Sequence, residues 1–255
     1  MGKLRFKEFI NPIHKKELKN LIQQKSLRNK ALRLENVLSV SNKLGFINQS
    51  DQFEGRSVAS KNTSNYKVVE RNDFAYNPAR INVGSIAMLD SYARGIVSPM
   101  YVVFKTNESL SPIFFKYFLE TNNFYNQMKK LLVGSVRQTL DFKSLSQIKI
   151  SLPEPKEQEK IGNFLSLFDR LLEKINEKIE LLKELKKGYL QQMFPAKGEK
   201  VPRIRFSGSN EDWEQCELGE MADIIGGGTP SRAISNYWDG DIDWYSPVEI
   251  GDKIY

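Results

Sequence analysis

Four short stretches in the first 140 residues combine cations, amides and turn formers. They are Lys61-Asn62-Thr63-Ser64-Asn65-Tyr66-Lys67, Tyr76-Asn77-Pro78-Ala79-Arg80 with Asn82, Tyr92-Ala93-Arg94-Gly95, and Gly134-Ser135-Val136-Arg137-Gln138-Thr139. An arginine fork donates two hydrogen bonds to guanine O6 and N7, and an Asn or Gln amide pairs with adenine N6 and N7. Asn77, Arg80, Arg94, Arg137 and Gln138 are therefore candidate readers of base edges. Lys61, Lys67, Ser135 and Thr139 suit phosphate oxygens, which position a protein without reading sequence. Each residue taken singly has an ordinary alternative as a turn former or helix cap. Their concentration in one basic segment is what favours double-stranded DNA as a partner.

Other chemistries lack their residues. One cysteine, Cys216, excludes an intramolecular disulfide and a cysteine-based zinc cluster, and one histidine, His14, excludes a His-pair metal site. No Gly-x-x-x-x-Gly-Lys-[Ser/Thr] loop is present, and the Gly226-Gly227-Gly228 run leads into Thr-Pro-Ser-Arg, which reads as a tight or flexible turn. The Asp/Asn-Pro-Pro-aromatic motif of amino-methylating enzymes is missing. Glu154-Pro155-Lys156 has the Glu-x-Lys spacing of a metal-dependent nuclease, but its flanking prolines and the lack of a well-placed upstream Asp make it a strand-to-helix connector. No general acid, base and nucleophile assemble, so no catalytic residue, metal ligand or bound cofactor is expected.

Charge is placed unevenly over the 255 residues. Residues 1–150 carry 24 basic and 11 acidic side chains, residues 151–200 carry 10 and 9, and residues 201–255 carry 4 and 11. Phosphate neutralisation needs clustered Lys and Arg, which only the first segment supplies. The plainer reading of that segment is a basic, solvated surface. No apolar run approaches the ~20 residues of a membrane span, and the N-terminus lacks a signal-peptide apolar core. A soluble cytoplasmic protein is the expectation.

The elements that must position these residues change character along the chain. Residues 15–36 show helical spacing (Leu18, Leu21, Ile22, Leu27, Ala31, Leu34). Residues 37–104 alternate short β-branched or aromatic runs (66–69, 81–83, 85–89 and 101–104) with turn signals, which predicts a β-rich body. Residues 112–132 read as one helix with an apolar face of Phe115, Phe118, Leu119 and Met128. A short helical turn at 144–147 and a strand at 148–152 precede Pro153 and Pro155. Then Ile161, Phe168, Ile175, Leu182 and Tyr189 recur every seven residues, with Phe164, Leu171 and Leu185 in companion positions. That is a coiled-coil signature on a helix of about 35 residues, ~50 Å long. Its stripe needs a partner helix, from the same chain or another copy, unless the helix lies on its own domain.

After the 196–202 linker a fragment of pattern repeats: Leu4-Arg5-Phe6 returns as Ile204-Arg205-Phe206, 200 residues on. The reading is α+β: a β-rich recognition domain over 1–153, a spacer helix over 154–195, and over 196–255 a linker and the start of a second, incomplete recognition domain. On this reading the chain is shortened, by truncation, a split gene or fragmentation.

Three stretches carry a family likeness. The first runs from Tyr66-Lys67-Val68-Val69 through Asp73-Phe74-Ala75-Tyr76-Asn77-Pro78-Ala79-Arg80 and Gly84-Ser85-Ile86 to Gly95-Ile96-Val97-Ser98-Pro99. The second runs from Ser135-Val136-Arg137-Gln138-Thr139-Leu140 through Ile150-Ser151-Leu152-Pro153, Glu157-Gln158-Glu159-Lys160-Ile161 and Phe164-Leu165-Ser166-Leu167-Phe168-Asp169 to Lys187-Gly188-Tyr189-Leu190-Gln191-Gln192-Met193-Phe194. The third joins Trp213, Leu218-Gly219, Gly227-Gly228-Thr229-Pro230-Ser231 and Trp244. Together they resemble the specificity subunit of type I restriction–modification systems, and the Leu-Pro…Glu-Gln-x-Lys-Ile…Phe-Leu…Asp run before a long helix is the specific part.

The resemblance implies two target recognition domains, each reading half of a split DNA site, held apart by long helices that bind methyltransferase subunits. It implies a non-catalytic subunit. S-adenosylmethionine, ATP and Mg would sit only on partners, which methylate adenine N6 and, as restriction (motor) subunits, drive cleavage. The partner-helix interface would comprise Ile161, Phe164, Phe168, Leu171, Ile175, Leu182, Leu185 and Tyr189. Two shortened copies could instead cover each other's helix, forming a homodimer that reads an inverted repeat. Such a copy could also act as a scaffold or regulator that occupies methyltransferase subunits.

Overall fold

The computed structural model describes residues 4–49, 62–134, 138–223, 225–241 and 245. The chain forms two compact units, Met1–Lys178 and Ile179–Tyr255. In the first, ten short strands precede a long helix: β1 (His14–Glu17), β2 (Ile22–Lys25), β3 (Leu38–Ser41), β4 (Gly45–Asn48), β5 (Lys67–Glu70), β6 (Phe74–Tyr76), β7 (Ile86–Met88), β8 (Arg94–Val97), β9 (Val102–Thr106) and β10 (Lys149–Leu152). Helices α1 (Pro112–Leu119), α2 (Asn122–Leu131) and α3 (Phe142–Leu145) lie between β9 and β10, and α4 (Pro155–Gln192) follows.

The central sheet has the order β2-β9-β6-β7 and is antiparallel throughout. Strand side chains alternate faces, and here both faces are covered. Phe74, Tyr76 and Phe104 point into one core shared with Phe115 of α1, Met128 of α2 and Leu145 of α3. Ala75 and Val103, the intervening residues, enter a second core with Leu38, Val40 and Phe46 of the β3–β4 hairpin and with Val69 and Val97 of the β5–β8 pair. Two-sided burial explains why these strands read as continuous apolar runs. The first core is aromatic: Phe74 stacks on Phe104 at 5.3 Å and meets Phe115 edge-on at 5.1 Å.

Three expectations change. Residues 15–36 are not helical. Leu18 and Leu21 are buried, but on a 3-10 turn (Leu18–Asn20) between two strands. β1 pairs with β10, over 130 residues away in sequence, and β2 pairs with β9. These remote partners outweigh the local spacing, which is a weak prior against tertiary context. The 112–132 helix is two helices. Thr121 adopts extended backbone (φ −79°, ψ 147°), and its hydroxyl accepts from the Phe124 amide, capping α2. Residues 81–83, expected as a strand, form a 3-10 turn closed by Gly84 at φ 89°.

Candidate nucleic-acid interface

The second candidate stretch is a turn that folds on itself. Asn77, just past β6, accepts the Ala79 amide on its side-chain oxygen at 3.0 Å. Its backbone donates to Ser85 at 3.1 Å, and Arg80 N–H closes the turn onto the Asn77 carbonyl at 3.0 Å. The Asn-Pro pair suits this geometry, since Asn bonds to backbone two residues on and Pro sets φ. Arg80 is left exposed, with no ion pair among the described residues.

The fourth stretch meets this turn. Val133 and Thr139 exchange backbone hydrogen bonds of 3.0 and 2.9 Å, and the Leu140 N–H donates to the Pro78 carbonyl at 3.1 Å. Leu140 is fully buried, while Gln138 and Thr139 are exposed beside the turn. Asp141 then caps α3 by accepting the Ser144 amide at 2.7 Å, and these bonds hold its carboxyl below the usual carboxylate range. Asn77, Arg80, Gln138 and Thr139 thus come together across 60 residues of sequence. Lys61, Ser135 and Arg137 lie outside the described residues.

Two candidates lie elsewhere. Arg94 stands opposite Glu70 in the β5–β8 register. The Asp73 carboxylate receives the Glu70 amide at 2.8 Å, so this pair sits at the start of β6 and Asn77 follows its end. At ~3.4 Å per residue the strand separates them by roughly 14 Å. Lys67, on the opposite pleat from Glu70, donates its ammonium to the Tyr101 carbonyl at 2.6 Å. Burial first, and Arg28 second, pull its pKa down. It is anchored inward rather than free for phosphate.

Sequence reasoning missed the groups that fix the long helix beneath this surface. Gln158, fully buried, accepts the Ser111 amide at 2.8 Å and donates to the Ser109 and Pro153 carbonyls at 3.0 and 2.9 Å. The Tyr117 hydroxyl donates to Asp169 at 2.7 Å, and Lys116 bridges Asp90 at 2.9 Å and Asp169 at 3.9 Å. Burial lowers the Lys116 pKa, but Asp90 and the other neighbours outweigh it and leave it raised. Glu154-Pro155-Lys156 is the junction of β10 and α4, as its prolines suggested. Among the described residues, no group of three His, Cys, Asp or Glu is placed to hold a metal ion. No described helix is long and apolar enough to cross a membrane.

The family model for the type I restriction modification DNA specificity domain matches residues 14–183, which includes both turns and most of α4. The chain belongs to this family. Within it, the specificity domain is 30% identical over 172 residues to the type I restriction enzyme MjaVIII specificity subunit of Methanocaldococcus jannaschii, covering 66% of this chain and 39% of that protein. It is 27% identical over 177 residues to the putative MjaX specificity subunit of the same organism, covering 66% and 41%. The chain therefore spans about two fifths of the length of these relatives. A solved S subunit from M. genitalium superposes with a TM-score of 0.49 at 19% identity, over 75% of this chain and 48% of that one.

Proposed function

We propose that this chain is the sequence-reading component of a type I restriction–modification complex and has no catalytic activity of its own. The basic unit docks on duplex DNA mainly through phosphates. The turn bearing Asn77 and Arg80, with the adjoining Gln138 and Arg137 of the 133–139 loop, reads base edges in the major groove. The observation that carries this reading is the Leu140–Pro78 hydrogen bond, which gathers two cation-and-amide turns on one exposed patch inside the family-matched region. S-adenosylmethionine-dependent methylation of adenine N6, and ATP- and Mg-dependent cleavage, would belong to partner methyltransferase and restriction (motor) subunits in the cytoplasm.

Selection from randomised duplexes tests the assignment. Arg80→Ala and Gln138→Ala are expected to relax preference at one or two positions, by ~1–3 kcal/mol for a bidentate contact. An unchanged selected sequence would remove these residues as readers.

The exposed stripe of α4 supports a second part of the reading. Phe168, Leu171, Ile175, Leu182, Leu185 and Tyr189 are each 45–54% exposed, so this face is available to a methyltransferase subunit or to a second copy of the chain. A homodimer of this kind would place two reading patches on an inverted-repeat site. Ile175→Asp should abolish whichever pairing uses the stripe, as read by light scattering and by co-purification with a methyltransferase subunit.

A further inference from the structure

The N-terminal arm is clamped onto the first turns of α4. Arg5 makes a two-pronged ion pair with Glu157, Nε and Nη2 each 2.7 Å from a carboxylate oxygen, and Glu157 is only 1% exposed. Phe6 meets Phe164 edge-on at 5.7 Å, while the Lys160 ammonium lies 4.6 Å from the Phe6 ring and also pairs with Glu8. Glu157, Lys160 and Phe164 are spaced three and four apart, so they share one helix face. That face is a receptor for an Arg-Phe pair.

The chain carries a second Arg-Phe pair in the repeated triplet Ile204-Arg205-Phe206. It is tied to the last residues of α4 by the Ile204 amide, which donates to the Gln192 carbonyl at 3.0 Å. Here the triplet has no receptor. Arg205 donates to the Glu211 backbone carbonyl, not to a carboxylate, and Phe206 is 78% exposed. Ile204 and Phe206 line an apolar hollow of about 570 Å³ with Tyr189 and Trp213. An exposed Phe beside an open apolar hollow marks an unfilled contact.

We infer that Ile204-Arg205-Phe206 docks on the Glu157–Lys160–Phe164 face of a second copy of this chain, replacing that copy's Leu4-Arg5-Phe6. Charge complementarity supports this occupant: the receptor offers a buried carboxylate that a guanidinium already satisfies, and Arg205 offers the same guanidinium one residue before a Phe. The exchange is neutral at the ion pair, because one Arg–Glu fork replaces another. Burial of the α4 stripe drives it. An antiparallel helix pair brings the end of one α4 to the start of the other, which is where the two halves of this contact sit. The inference deepens the homodimer proposed above and commits it to an antiparallel arrangement with arm exchange.

Sedimentation of the full chain across a concentration series tests it. Arg205→Ala and Phe206→Ala, both at exposed or half-exposed positions that should leave the fold intact, are expected to weaken dimerisation at least tenfold. A mixture of an Arg205→Glu chain with a Glu157→Arg chain should pair better than either chain alone. Unchanged dimerisation in both single variants would overturn the docking contact while leaving helix pairing in place. A monomer at every concentration would overturn both.

Discussion

Tyr76 is the residue whose chemistry is least satisfied. Its ring is fully buried against Phe104, and its hydroxyl has no hydrogen-bond partner. Burial, with Asp141 nearby, pushes its pKa up. A buried hydroxyl without a partner costs about 1–3 kcal/mol relative to a satisfied one. Tyr76→Phe removes only that oxygen, so it should stabilise the fold. Thermal denaturation followed by circular dichroism is expected to show Tm rising by roughly 2–4 °C per kcal/mol gained in a protein of this size. A fall in Tm would mean the hydroxyl has a partner in solution. The position immediately precedes the Asn77 turn, so DNA binding should be retained, and that separates the packing effect from recognition.

At the scale of elements, α4 shows how one helix can answer the same substitution with opposite signs. A Cβ added at Gly162 would lie 2.5 Å from Ile113 Cγ2 and 3.2 Å from the Phe114 amide of α1, whereas one added at Gly188 would meet nothing within 4 Å. Glycine inside a helix is unfavourable by ~1 kcal/mol relative to alanine. Gly188→Ala should therefore raise stability by up to about that amount. Gly162→Ala must push α1 away from α4, and overpacking costs ~1–3 kcal/mol, so a net loss of about 1–2 kcal/mol is expected. Urea unfolding of the two variants checks the pair. Equal shifts would show that α1 and α4 do not pack this closely. Because Gln158 and Tyr117 also fix α1 against α4, loosening this contact should blur the geometry between the reading surface and the helix.

Over the whole molecule, the charge gradient makes a prediction about salt. The surplus of 24 basic over 11 acidic side chains in residues 1–150 faces no comparable acidic surplus within that segment. If this surface tracks phosphates, the logarithm of duplex affinity should fall linearly with the logarithm of salt concentration, with a slope near −0.9 per phosphate neutralised. Fluorescence anisotropy with one duplex at several salt concentrations measures it. A slope of several units is expected. A slope near zero would return the basic surface to simple solvation. Lys67, turned inward to the Tyr101 carbonyl, should contribute little to that slope.

The sequence alone was enough to predict the features that depend on neighbours within a few turns. The sevenfold stripe of α4 and its start at the Pro153–Pro155 junction were legible because a helix brings residues three, four and seven apart onto one face. The β-rich texture of 37–104 was legible because apolar runs between turn signals have few other uses. Tertiary structure decided what depended on distant partners. Residues 15–25 became strands because β9 and β10 supply their hydrogen bonds. The Asn77–Arg80 turn met Gln138 through a single backbone bond from Leu140 to Pro78. Arg5 found Glu157 across 152 residues. Local spacing carries no information about such meetings, since they are set by which surfaces the packed cores leave adjacent.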